Sequence, residues 1–184
     1  VPTKPDDARA QRSIEALHAA FLELIEFKPL DQILLREITD TAGLSYPTFF
    51  RRFSSKEDLL VDIARNEVRA LMGLSGATIE PRQFDGGRGM FERVQGRRQL
   101  WTTLLTGGAT AAMREEFIRA SRELVDAHGR VRPDIPLDLA SGFFAGAVFE
   151  IFAWWLRQPE DYPIDDAIKL FEALVVRPLG RPRE

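Results

Sequence analysis

The sequence predicts an all-α fold: an N-terminal three-helix helix-turn-helix head followed by a larger helical domain. Three observations carry that expectation. Apolar residues recur at steps of three and four along most of the chain. No segment alternates with the two-residue period of a half-buried strand. Gly and Pro cluster between the helical stretches, where they punctuate rather than interrupt them.

Ile14, Leu17, Phe21, Leu24 and Ile25 draw one apolar stripe on a first helix, roughly residues 7–27. Lys28-Pro29 ends it, because the residue before a proline is pushed out of the helical region. A short second helix, about 35–42, places Leu35, Ile38 and Ala42 on one side, and Gly43 supplies the turn after it. Ser45 is a suitable N-cap for a third helix, about 46–53, with Pro47 in the first turn, where its missing N–H breaks no helical bond. Ser55-Lys56-Glu57-Asp58 resembles a capping box and opens a fourth helix, whose apolar face runs from Leu59 to Met72.

Residues 73–90 carry five glycines and Pro81, and form the best candidate linker. Helical pattern resumes near Met90, breaks at Gly107-Gly108 and continues from about 109 to 128. Gly129, Pro133 and Pro136 precede an apolar run at 137–156. Pro159 and Pro163 bracket a loop. A last helix carries Ile164, Ile168, Phe171, Leu174 and Val175, and Pro178 and Pro182 close the chain. The expected division is therefore residues 1–54 as the head, 55–72 as a connecting helix and 73–184 as the C-terminal domain.

Composition narrows the function. The 184 residues are 45% apolar and 29% charged, which suits one soluble domain or two small ones rather than a disordered chain. The net charge of −3 gives no overall basic signal for nucleic acid. Without cysteine there can be no disulfide, thiolate zinc site, iron–sulfur centre or cysteine nucleophile, and two histidines are too few for a histidine-rich metal site. No metal and no cofactor is expected. VPTKPDDARA has no signal-peptide h-region, and its lack of an initiator Met suggests a trimmed start. The run 139–156 approaches the length of a membrane span, but it contains Glu150, a costly group in a bilayer. A helix buried on all sides accounts for it better, so no membrane is expected. No GxSxG, HExxH or dinucleotide fingerprint is present, and Gly86-Gly87-Arg88-Gly89 lacks the strand and Lys-Ser/Thr of a P-loop. An enzyme is not expected.

Residues 35–53 have the helix, Gly-turn, helix pattern of a unit whose second helix enters the DNA major groove. Leu35, Ile38, Ala42, Leu44, Phe49 and Phe53 can face inward. The outer side then carries Tyr46, Thr48, Arg51 and Arg52, with Lys56 just beyond. Between Leu44 and Lys56 there are three basic residues and no acidic one, a local patch of the kind phosphate contact needs. The same shape also occurs as ordinary helical packing, and three charges can be a solvated face.

The stretch ILLREITDTAGLSYPTFFRRFSSKEDLL, residues 33–60, resembles the DNA-binding region of TetR-type transcriptional repressors through Ile38, Ala42-Gly43, Ser45, Pro47-Thr48, Phe53, Lys56 and Leu59-Leu60. The rest of the chain resembles that family only in its layout of helices. The resemblance implies a cytoplasmic, nucleoid-associated regulator with double-stranded operator DNA, a small-molecule effector and a second copy of itself as partners. It implies DNA contacts at Arg36, Ser45, Tyr46, Pro47, Thr48, Phe50, Arg51, Arg52 and Lys56. Pro47 could meet a thymine methyl, and Arg51, Arg52 and Lys56 suit phosphates, although Arg51 or Arg52 could also fork onto a guanine. The family usually has Tyr where this chain has Phe50, which forfeits one hydroxyl contact to phosphate. A helical protein with a degenerate DNA-binding head is the alternative.

The resemblance also implies a dimer on the last two helices and an effector pocket. The helix 137–156 is apolar on nearly all sides, so its second face needs a partner. Val148, Ile151, Phe152, Trp155, Ile168, Phe171, Leu174 and Val175 are the interface candidates. Trp101, Leu104, Met113, Phe117, Phe143, Phe144 and Ala147 are the candidate pocket lining, although aromatic residues at helical spacing are also ordinary core. Glu150 could meet a cationic ligand group or lie at a dimer rim. His18 is expected at the surface of the first helix, and His128 beside a helix C-terminus.

Overall fold

The computed structural model describes residues 5–77, 86–128 and 135–179, and every regular element among them is helical. Helix α1 spans Pro5–Ile25, and after a single 3-10 turn at Leu30–Gln32 come α2 (Leu35–Thr41) and α3 (Tyr46–Phe50). The long α4 (Lys56–Ala77) is followed by α5 (Gly86–Gln95), α6 (Arg98–Thr106), α7 (Thr110–His128) and α8 (Leu137–Leu156). The described residues end with α9 (Ile164–Phe171), a π-helical turn at Glu172–Val176 and α10 (Arg177–Leu179).

The sequence places most of these boundaries, and the structure shifts several. Helix α3 is shorter than its pattern suggests, because Arg51 and Arg52 already form the turn that leads to Phe53. Helix α4 passes through Gly73 and Gly76, and α5 contains Gly86, Gly87 and Gly89, so much of the glycine-rich stretch is helix rather than linker. Residues 78–85, within the expected linker, lie outside the described residues, as do Gly129, Pro133, Pro182 and the side chain of His128. Gly43 has φ +64°, the only positive φ among the described residues, which only a residue without Cβ adopts at little cost. Gly107 is required for a different reason. A Cβ there would lie 2.7 Å from the Thr103 carbonyl oxygen, close to where Leu30 and Leu60 pack.

One continuous core runs from Leu17 to Val175. Leu17, Phe21, Ile33, Ile38, Phe49 and Leu59 fill the head, each fully buried and each contributing about 1.5–3 kcal/mol by its removal from water. Helix α4 packs on α1, α5 and α7, and so ties the head to the rest. Polar side chains reinforce those seams. The buried Glu67 carboxylate accepts both Nε and Nη2 of Arg93 at 3.0 Å, and Nη1 of Arg97 at 2.5 Å. Glu116 on α7, also buried, accepts Nε of Arg69 on α4 at 2.7 Å and an N–H of Arg119. His18 is not a surface residue: Nε2 lies 2.9 Å from Asp62 Oδ2 on α4, and its ring stacks on Phe53.

Helix α8 is long and apolar enough to cross a membrane, by length and composition alone. It is instead a two-faced core helix. Ala140, Ser141, Ala145, Val148, Phe149, Ile151, Phe152 and Trp155 are buried in the chain's own core. Arg98 from α6 donates to the carbonyls of Leu156 and Gln158, both at 2.7 Å, and so satisfies the otherwise open C-terminal end.

Candidate nucleic-acid interface

Helix α3 is held from beneath and open above. Phe49 is fully buried and Phe53 nearly so, and their rings pack at 5.9 Å. The opposite side exposes Tyr46, Pro47, Phe50, Arg51 and Arg52. Ser45 occupies the N-cap position, but its hydroxyl does not cap a backbone N–H. It lies instead 3.0 Å from the Thr48 hydroxyl, which also accepts Nη2 of Arg51 at 2.9 Å. This chain fixes the rotamers of three polar side chains on the exposed face. Arg36, on α2, is exposed and lies 3.4 Å from Asp40, an interaction that solvent weakens.

Lys56 has a different geometry from the free phosphate ligand that its position suggests. Its Nζ donates to the carbonyls of Leu30 and Ile33, both at 2.9 Å, and is partly buried. Two of its three N–H donors are thus committed to the connection between α1 and α2. A second clasp holds the same connection. The Lys28 ammonium binds the Glu37 carboxylate, whose other oxygen accepts the Leu34 N–H at 2.9 Å and starts α2. The Lys28 hydrogen bond comes first among the causes that hold the Glu37 pKa below its ordinary value, with the Leu34 N–H second. Ser55 Oγ accepts the Asp58 N–H at 3.1 Å, and the Asp58 carboxylate reaches back to the Ser54 N–H at 2.9 Å, which closes a box one residue wider than usual.

The interface candidates divide by burial. Val148, Phe152, Phe171 and Val175 are completely enclosed, and Ile151 and Trp155 nearly so, within the single chain. They have no surface to offer while the fold stands. Ile168 is half-buried, and of the eight only Leu174, 59% exposed, faces outward. The free stripe of α8 is instead Leu139, Phe143, Gly146 and Glu150, at steps of four, three and four. Leu170 and Leu174 are exposed too, on elements that pack against α8. Glu150 pairs at 3.8 Å with Arg157 at this rim.

The pocket candidates divide as well. Trp101, Leu104, Met113 and Phe117 are fully buried, and Phe144 and Ala147 half-buried, but Phe143 is 53% exposed and turns away from the interior. Trp101 packs edge-on to Phe152, and its buried indole N–H has no hydrogen-bond acceptor among the described residues. Two surface clefts among the described residues lie elsewhere. One of about 460 Å³ is lined by Arg65, Arg69, Ala112, Glu115, Glu116 and Arg119 between α4 and α7. A neighbouring one of about 340 Å³ shares Glu115 and Arg119. Glu67, Glu116 and Lys56 carry contacts that helical patterning alone does not reveal. The usable signal was a carboxylate set into an apolar stripe, as Glu67 is between Ala64, Val68 and Leu71.

Residues 17–63 match the model of the bacterial regulatory proteins of the tetR family. No curated protein matches the chain in sequence. Among solved structures, it resembles a TetR transcriptional regulator from Streptococcus agalactiae at 20% identity and TM-score 0.63, over 96% of this chain and 98% of that one. It resembles NalD, the secondary repressor of a multidrug efflux pump in Pseudomonas aeruginosa, at 23% identity and TM-score 0.61, over 94% and 99%. A third is the Thermus thermophilus repressor FadR in complex with lauroyl-CoA, at 20% identity and TM-score 0.63, over 93% and 97%. At such identities the likeness along the whole length establishes the fold.

Proposed function

We propose that this chain, whose residues 17–63 match the model of the tetR family of bacterial regulatory proteins, is a transcriptional repressor. It binds operator DNA as a dimer in the cytoplasm and is released by a small, mostly apolar effector. The observation that carries the reading is the outer side of α3. Aromatic and cationic side chains stand exposed there on a helix whose other side is locked into the core by Phe49 and Phe53. Arg51 and Arg52 suit phosphates, and Tyr46, Pro47 and Thr48 suit base edges. Arg36 is a further contact from α2. Lys56 acts mainly by positioning, because its donors hold the backbone that leads into α2.

A second copy covers Leu139, Phe143, Leu170 and Leu174, large apolar side chains that otherwise stand in water. A two-fold dimer on that face presents two recognition helices to half-sites one turn apart, about 34–36 Å. The effector enters the aromatic interior around Trp101, Met113 and Phe117 by displacing packed side chains, and an acceptor atom on it would satisfy the Trp101 N–H. Helix α4 transmits the change, since it contacts α1 through Asp62 and α7 through Arg69. An effector alters DNA affinity only through its different affinities for the two head positions. The test is selection of duplexes from a random pool. Enrichment of a two-fold symmetric site supports the reading, and a pool that stays random refutes it.

A further inference from the structure

Tyr46 and Phe50 lie one helical turn apart on α3, and their rings, 6.3 Å between centroids, form a tilted pair on the open side of the helix. Phe50 is 55% exposed and Tyr46 43%, although Phe49 and Phe53 on the same short segment are buried. Pro47 adjoins them and is exposed too. The polar side chains of this face are engaged with one another along Ser45, Thr48 and Arg51. The helix thus presents an apolar ridge beside a polar one.

Phe50 has no hydrogen-bonding atom. On a surface that faces a duplex, it can gain only by covering apolar area. In the major groove, the exposed apolar group on a base edge is the 5-methyl of thymine. We infer that Phe50, with Tyr46 and Pro47 beside it, reads thymine methyl groups, so that each operator half-site contains a thymine whose methyl is needed for affinity. Arg51 and Arg52 follow Phe50 directly and are exposed, so that their hold on the backbone fixes the base step that Phe50 meets. Phe50 is the specificity-determining residue of the set, because Tyr46 keeps a hydroxyl that can also bond a base or a phosphate.

This inference rests on the DNA-binding reading, and its test separates the two. Each thymine of the selected operator is replaced in turn by deoxyuridine, which keeps base pairing and removes only the methyl. Burial of one methyl predicts a loss of about three- to fivefold in affinity at one position of each half-site. Phe50→Ala should remove that difference, binding the thymine and uracil duplexes alike and more weakly than the wild type. Phe50→Leu, which keeps an apolar tip, should retain part of it. Because Phe50 is exposed, both variants keep the core intact, and unchanged far-UV circular dichroism checks this. The inference is overturned if uracil is tolerated at every position, or if Phe50→Ala loses equally on thymine and uracil duplexes while their difference persists. A protein that selects no duplex would overturn the DNA-binding reading beneath it.

Discussion

Replacing Lys56 by Ala distinguishes a positioning lysine from a phosphate ligand. The Nζ donates to the Leu30 and Ile33 carbonyls at 2.9 Å each. A hydrogen bond from a charged donor is worth about 1.5–3 kcal/mol net. Two such bonds bound the loss at roughly 3–6 kcal/mol. The site is only partly buried, so water re-solvates the carbonyls in the variant and the net cost falls to about 2–3 kcal/mol. For a chain of this size that is a fall in Tm of roughly 4–12 °C. Urea unfolding followed by circular dichroism measures it, with Lys56→Met as a control that keeps the apolar stem. On operator DNA, affinity should fall with the head's order, while the slope of log K against log salt stays near the wild-type value. A variant of wild-type stability whose salt slope drops by about one unit would show that Lys56 is a phosphate contact instead.

Phe143→Glu and Leu174→Glu alter side chains that are 53% and 59% exposed, so both should fold and sediment as monomers where the wild type sediments as a dimer. Phe152→Glu buries a charge in the core and should not fold at all. Arg93→Ala leaves the buried Glu67 with Arg97 as its remaining partner and should cost about 2–3 kcal/mol by urea unfolding. Acid should act through Glu116. Burial alone would raise its pKa, but hydrogen bonds from Arg119 and Arg69 outweigh that and hold it below the ordinary 4.5. The depressed value means its stabilisation is full above about pH 4.5 and is lost as pH falls through the native pKa. Urea midpoints should decline over that window, and Glu116→Gln should flatten the decline.

Much of the fold is legible because local rules fix it. Pro29 and Pro163 bound helices by removing donors and restricting their neighbours, and Gly43 sits where only a positive φ closes the turn. The glycines at 73–90 mislead because glycine lowers helix propensity by only about 1 kcal/mol, which tertiary packing of Met90, Phe91 and Val94 outweighs. The burial pattern around α3 is also legible, since buried Phe49 and Phe53 and exposed Tyr46, Arg51 and Arg52 follow from helical spacing. The exposed face of α8 is not. Helix α8 is apolar on both faces, and its wheel does not say which face the chain keeps for itself. The structure turns Val148, Phe152 and Trp155 inward and leaves Leu139 and Phe143 outside. Lys56 and Glu67 escape sequence reasoning for another reason: their partners lie 23 to 30 residues away, beyond any local pattern.

In the proposed function, two exposed recognition helices hold one duplex through phosphates and base edges. Titration of a labelled, selected duplex across a salt series, with the bound mass read by sedimentation, tests it most directly. Arg51 and Arg52 from two protomers predict two chains per duplex and a salt slope of roughly −3.6, at about 0.9 per phosphate. Binding by one chain, or an affinity indifferent to salt, would contradict it.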